Sequence, residues 1–170
     1  MKNKLAKQYP KGFIDWLSRF SGQQYGVVRS LANQSLVDVE TVDDLLAEIV
    51  DKRMKLSRQY FEFASGIQPE SNFLCRQIIS RSYYAMHHAA RAVIFATRRD
   101  NLRSHEKVIK AIGQLFGNET AKLLADQLDG RNNVEYGLII PDKISEMAKD
   151  SIDKAKNFIQ YCESYIKERR

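Results

Sequence analysis

The sequence is poor in the residues that staple or interrupt a chain. Its 170 residues hold two cysteines, Cys75 and Cys162, with no CxxC spacing and no Cys/His cluster. That pattern offers no disulfide framework and no thiolate metal site, and it predicts a reduced, cytoplasmic protein. Only three prolines occur, at positions 10, 69 and 141, so long helices can run uninterrupted between them. No run approaches the roughly 18 apolar residues of a membrane span. The N-terminus carries lysines without the apolar core of a signal peptide, so neither a span nor a leader is expected. The three histidines form no HxxxH or HExxH pattern, and no acidic cluster has ligand spacing. There is no glycine-rich phosphate loop, and no spacing singles out a Ser/His/Asp or Cys/His nucleophile. No metal and no cofactor is therefore predicted. Strand alternation, repeats and low-complexity tracts are missing too.

What is present fits a globular domain, with 44% hydrophobic and 28% charged residues. The length suits one domain, or one domain with a short appendage, burying about two thirds of its unfolded surface. The charge is uneven. Residues 1–37 contain Lys2, Lys4, Lys7, Lys11, Arg19 and Arg29 against Asp15 alone, which is +5 of the total +6. Residues 1–40 read as a basic, aromatic-containing arm and linker, and residues 41–170 as a nearly neutral body. Such an arm favours polyanions, either nucleic acid or an anionic membrane surface; it can equally keep the chain soluble or dock on the body's own acidic face. Phe13, Ile14, Trp16, Leu17 and Phe20 suit a short helix over Lys11–Phe20, whose aromatics either stack bases or fold onto the body. Ser21-Gly22, Gly26 and Asn33-Gln34-Ser35 read as a linker with at most one helical turn, at Val27–Leu31.

The body reads as helices. The first is capped by Thr41 and runs to about Ala64, with Leu45, Leu46, Ile49, Val50, Met54, Leu56, Phe61 and Phe63 on its apolar face. The longest spans about Ser71–Arg99. Its apolar positions, among them Cys75, Ile78, Ile79, Tyr83, Met86, Ala89, Ala90, Val93, Ile94 and Phe95, cover more than half its circumference. A helix of that kind is central, packed on more than one side. Ser104 caps a shorter helix to about Phe116, and another begins near Glu119. The last is capped by Asp142 after Pro141 and runs to about Lys167. Its stripe is Ile144, Met147 or Ala148, Ile152, Ala155, Phe158 or Ile159, Cys162 and Ile166. The prediction is an all-α protein, an up-and-down bundle of about five helices with an N-terminal basic arm.

One stretch breaks the pattern. Ala121, Leu124, Ala125 and Leu128 recur at i, i+3, i+4 and i+7. One more turn of that stripe brings Arg131, Asn132 and Glu135 where core residues belong. Burying a charge there unpaired costs on the order of several kcal/mol, so these side chains either satisfy one another or line a site. Gly130 and Gly137 bracket the stretch, and each can break a helix or admit a close neighbour. Elsewhere, His87 and His88 point about 100° apart on a helix and cannot grip one ion together. Tyr83, His87 and Arg91 share one face, and Tyr84, His88 and Ala92 the next. Hydrogen bonding inside a bundle is the simplest account of both histidines, and His105 braces a helix start.

Ser82-Tyr83-Tyr84-Ala85-Met86-His87-His88-Ala89-Ala90-Arg91-Ala92, then Ser104-His105-Glu106-Lys107-Val108, then Arg131-Asn132-Asn133-Val134-Glu135-Tyr136-Gly137 resemble successive signatures of the HEPN domain. The likeness covers about residues 41–167 and is nearest to small bacterial and archaeal HEPN proteins. It implies a helical bundle that forms a homodimer and acts on RNA. Many such proteins are metal-independent endoribonucleases, and many are toxins paired with a small nucleotidyltransferase antitoxin. The family's motif is an Arg, often a polar residue, and a His a few positions on, with two copies meeting across the dimer. Arg131 matches the Arg, Asn132 the polar residue, and Tyr136 stands where the His is expected. The implied site is thus Arg131, Asn132 and Tyr136.

The departure bears on chemistry. Metal-free RNA cleavage needs a base for the 2′-OH, an acid for the leaving oxygen and a cation on the phosphate. Histidine titrates near pH 6.5 and tyrosine near 10, so Tyr136 suits proton or hydrogen-bond donation better than the base role. Arg131 suits a bidentate phosphate clamp, with Asn132 orienting it. Three readings stay open. The chain is a ribonuclease, or a non-catalytic module that binds RNA or a nucleotide or docks a nucleotidyltransferase, or Arg131 and Glu135 simply pair at i, i+4 to fix the fold.

Overall fold

A computed structural model describes residues 18–20, 22–34 and 39–169, the side chains of 31–33 and 39–42 apart. Among them are six helices and no strand: α1 (Gly22–Asn33), α2 (Val39–Gly66), α3 (Asn72–Arg98), α4 (His105–Phe116), α5 (Asn118–Tyr136) and α6 (Ile144–Lys167). The protein is an all-α bundle. None of the described helices is long and apolar enough to cross a membrane.

The bundle is built around α3, which packs against α2, α4, α5 and α6. Its apolar residues explain why: Ile78, Tyr83, Met86, Ala89, Ala90, Val93, Ile94 and Phe95 are all fully buried. Alanines on this helix let neighbours approach, and the larger side chains fill the remaining volume. Ser71 starts α3 in an extended conformation, its hydroxyl accepting from the Leu74 N–H. Helix α2 lies along α3 through Leu45, Leu46, Ile49, Val50 and Met54. Ser57 continues that face, its buried hydroxyl donating to the Ala85 carbonyl at 2.7 Å. On the other side α6 buries Ile144, Ala148, Ala155, Phe158, Ile159, Cys162 and Ile166, the predicted stripe except at Ile152, which is half-buried while Ser151 takes the buried position.

Several expectations are corrected. The stretch predicted as a linker with one turn is a twelve-residue helix, α1. Tyr25 is the reason: its ring is 5% exposed and packs edge-on against Phe95 at 5.4 Å. That burial outweighs the poor helix propensity of Gly22 and Gly26. Leu56 and Phe63 were expected in the core and are exposed. Ser57 and Ala64 take the inward positions, and the two apolar residues line an open cavity of about 260 Å³ with Tyr60 and Arg81. Helix α2 begins at Val39, two residues ahead of the predicted cap Thr41. At α6 the capping position falls on Lys143, not Asp142, because the Ile144 N–H bonds the Pro141 carbonyl and closes a turn first. Ser104 does precede α4, but its carbonyl serves the helix by accepting from Val108, and its hydroxyl makes no cap bond. The helix expected over Lys11–Phe20 lies almost wholly outside the described residues.

Candidate functional site

The anomalous stretch forms the last two turns of α5. Gly130 neither breaks the helix nor touches a neighbour, since a side chain added there would meet open space. Gly137 does end it. Its N–H bonds the Asn133 carbonyl at 2.9 Å, and a Cβ at this position would collide with that same oxygen. The glycine is thus required by a close approach, and the stop it enforces leaves Arg131, Asn132, Glu135 and Tyr136 together at one helix end.

Packing of α5 on α3 determines what these side chains meet. Arg131 is 11% exposed, and its guanidinium is fully engaged on one side. Its Nη2 lies 2.5 Å from Glu135 Oε2 and donates to the Tyr84 hydroxyl at 3.0 Å. Its Nη1 donates to Asn132 Oδ1, also at 3.0 Å. The guanidinium sits between two rings, 5.3 Å from Tyr84 and 5.1 Å from Tyr136. Glu135 is held in turn by the Ser80 hydroxyl, which donates to its other oxygen. Within this group, and among the described residues, Arg131 Nε is buried without a hydrogen-bond partner. The polar residues on the apolar stripe therefore satisfy one another through α3, and Tyr136, 71% exposed, marks the open side.

A second group adjoins the first. The Tyr83 hydroxyl lies 2.5 Å from His105 Nδ1, joining the middle of α3 to the start of α4. The His87 ring is 4.5 Å from His105, and His88 stacks on Tyr60 at 5.3 Å and 10°. Burial pushes His87 down to about 3, and the neighbouring His105, His88 and Arg91 push the same way. Burial, then Arg91 and Arg53, bring His88 down to about 4. His105 is lowered too, first by burial, then by Arg131 and Arg91, so it lies within electrostatic reach of both guanidiniums. Burial raises Tyr83 well above the usual phenol range, and Tyr84 adds to this while Arg131 opposes it. All three histidines are thus neutral near pH 7.

Arg131 contacts both of the other predicted residues, Asn132 by a hydrogen bond and Tyr136 through its ring, and the three separated segments 82–92, 104–108 and 131–137 come to one place. Sequence reasoning missed Ser80 and Tyr84 as the partners of the Arg131–Glu135 pair. Their i, i+4 spacing on α3 was the available signal. It also missed that His105 faces Tyr83, a pairing across 22 residues.

No family model matches this chain. Over 137 residues it is 26% identical to a curated protein of Methanocaldococcus jannaschii named "Putative toxin MJ0605". The similarity spans 77% of this chain and 93% of that protein.

Proposed function

We propose that this chain is a HEPN-type, toxin-like protein directed at RNA, and that it cuts the strand without a metal in a cleft formed by Arg131, Asn132, Tyr136 and His105. One observation carries the reading. A histidine in contact with Tyr83 at 2.5 Å is joined, through the adjacent Tyr84 ring and hydroxyl, to a guanidinium that lies 5.1 Å from the ring of an exposed tyrosine. The resemblance of the three segments to HEPN signatures and the toxin name of the archaeal relative point the same way.

In this reading Arg131 holds the scissile phosphate and Asn132 orients the guanidinium. The reading requires the tautomer in which the His105 proton sits on Nδ1 and is donated to the Tyr83 oxygen, which leaves the Nε2 lone pair as the base. Nε2 takes the proton of the 2′-OH, the 2′-oxygen bonds to phosphorus, and the bond to the 5′-oxygen breaks. That leaving oxygen takes its proton from the Tyr136 hydroxyl, and the His105 imidazolium returns its proton to the Tyr136 phenolate through water, which restores both groups. The products are a 2′,3′-cyclic phosphate and a 5′-hydroxyl end. This assigns Tyr136 the donor's role and moves the base to His105. The reading extends to a homodimer with two clefts facing each other. Leu138 and Ile139, 100% and 86% exposed beside Tyr136, supply apolar surface for it. It extends also to a nucleotidyltransferase antitoxin that silences the pair in the cytoplasm.

Cleavage of end-labelled RNA in the presence of a chelator tests it. Wild type should yield cyclic-phosphate ends, and His105→Ala and Arg131→Ala should each lose about 100-fold or more in rate. If no RNA is cut but Arg131→Ala still weakens RNA binding, the protein is a non-catalytic RNA-binding module. If Arg131→Ala affects only stability, the structural reading holds. That third reading has its own observation, the occupation of Arg131 by Glu135 at 2.5 Å.

A further inference from the structure

A second cationic cluster lies at the turn between α3 and α4, outside the cleft described above. Arg91 on α3 and Arg53 on α2 both donate through Nη2 to the same atom, Asn101 Oδ1, at 2.9 Å and 2.8 Å. Two guanidiniums thus converge on one neutral amide oxygen. Among the described residues no carboxylate forms an ion pair with either. Such a pairing of like charges is unfavourable unless something negative joins it.

The two arginines are not equivalent. Arg53 is well provided for: it also donates to the Ser18 and Arg91 carbonyls, at 3.0 Å and 3.3 Å, and its guanidinium covers the Phe95 ring at 4.5 Å. It is structural. Among the described residues Arg91 has only the shared Asn101 oxygen, its Nε is buried without a partner there, and the residue is partly exposed. Burial and Arg91 hold Arg53 down to about 10, while burial and the exposed Arg103 lower Arg91. In both cases the neighbouring charge is another cation.

The position of Arg91 relative to the cleft follows from contacts. Arg131 bonds Tyr84, the Tyr84 and Tyr83 rings are 5.7 Å apart, and Tyr83 bonds His105. The His105 and His87 rings are 4.5 Å apart, and His87 precedes Arg91 by one turn of α3. His105 is therefore linked through neighbouring side chains to Arg131 on one side and to the turn of α3 that carries Arg91 on the other. We propose that Arg91, backed by Asn101 and Arg53 and flanked by Arg103, is a phosphate subsite separate from Arg131, and that it takes a second phosphate of the same RNA strand. The strand half of this inference rests on the RNA reading above; the phosphate half stands without it.

The full-length protein tests both halves. Inorganic pyrophosphate should raise the melting temperature of wild type above sodium chloride at matched ionic strength. Arg91→Gln should lose most of that rise. Asn101→Asp places a carboxylate between the two guanidiniums, so it should melt higher than wild type without anion and respond least to pyrophosphate. For a short fluorescent single-stranded RNA, Arg91→Gln should flatten the plot of log affinity against log salt by about 0.7, one phosphate contact. Arg91→Lys, which keeps a charge, should restore most of the slope and guards against a folding defect. An unchanged slope in Arg91→Gln, together with equal pyrophosphate responses in wild type and variant, overturns the subsite even where Arg131→Gln weakens RNA binding. If wild type binds no RNA but pyrophosphate still acts through Arg91, the subsite stands for free phosphate and the RNA reading fails.

Discussion

Lowering the pH from about 7.5 to about 5 should destabilise this protein through its buried histidines. His87 and His88 are held neutral in the fold, down to about 3 and about 4, while an unfolded chain returns them to about 6.5. Between those values the unfolded state binds more protons than the folded one, so stability rises with pH and falls as pH drops through about 6.5. At about pH 5 each histidine favours the unfolded chain by about 2 kcal/mol, since 1.5 pH units below 6.5 at about 1.4 kcal/mol each gives that figure. Together the two make about 4 kcal/mol, a large part of the roughly 5–15 kcal/mol that holds a domain. His105 is lowered as well and adds in the same direction. These are the chain's three histidines, and histidine is the side chain whose ordinary pKa falls in this window. Urea unfolding at about pH 7.5 and about pH 5, for wild type and for His87→Gln/His88→Gln, measures the effect. The double variant should lose most of the pH dependence and be the more stable of the two at the lower pH. A wild type equally stable at both values, or an undiminished dependence in the double variant, refutes the reasoning.

Three further outcomes follow from the packing. Gly137→Ala forces a Cβ into the Asn133 carbonyl oxygen, so the last turn of α5 must open. Stability should fall by about 1–3 kcal/mol, and RNA binding should drop with it, as read by melting and by fluorescence anisotropy. Ser57→Ala removes the buried 2.7 Å bond to Ala85, and should cost about 1 kcal/mol in urea unfolding while leaving RNA affinity unchanged. Tyr83→Phe removes the hydroxyl that fixes His105; cleavage should fall by about tenfold or more while RNA affinity holds.

Periodicity made the bundle legible. The stripes of α3 and α6 are long and regular, and their burial follows from counting residues. Helix α1 was not legible, because Gly22, Gly26 and the polar residues between them argue locally for a linker. Its stability comes from Tyr25 reaching Phe95, a contact between residues 70 positions apart. Leu56 and Phe63 misled for a related reason. They sit at helical spacing from each other but on the flank of α2, and only the position of α3 shows which flank is buried. At the site, Arg131 and Asn132 stood out because they interrupt an apolar stripe. Ser80 and Tyr84 did not, since a serine and a tyrosine on a helix acquire meaning only once α5 is laid across them.

Glu135 decides between the binding and structural readings of Arg131, because the two predict opposite signs. The carboxylate lies 2.5 Å from Arg131 Nη2 in a partly buried pair. Glu135→Gln leaves the guanidinium with the neutral Tyr84 and Asn132 oxygens, and stability should fall by about 1–2 kcal/mol. If Arg131 is a phosphate clamp, Glu135 is also the competitor that a phosphate must displace. Removing it takes away both that competition and a negative charge at the mouth of the site. RNA affinity should then rise, by about tenfold if about 1.4 kcal/mol of pairing is released. The variant is therefore expected to melt lower and bind RNA tighter, as measured by calorimetry and anisotropy on the same sample. A loss of affinity that tracks the loss of stability would mean that Glu135 positions Arg131 for packing alone, and the cleft would not be where the strand is held.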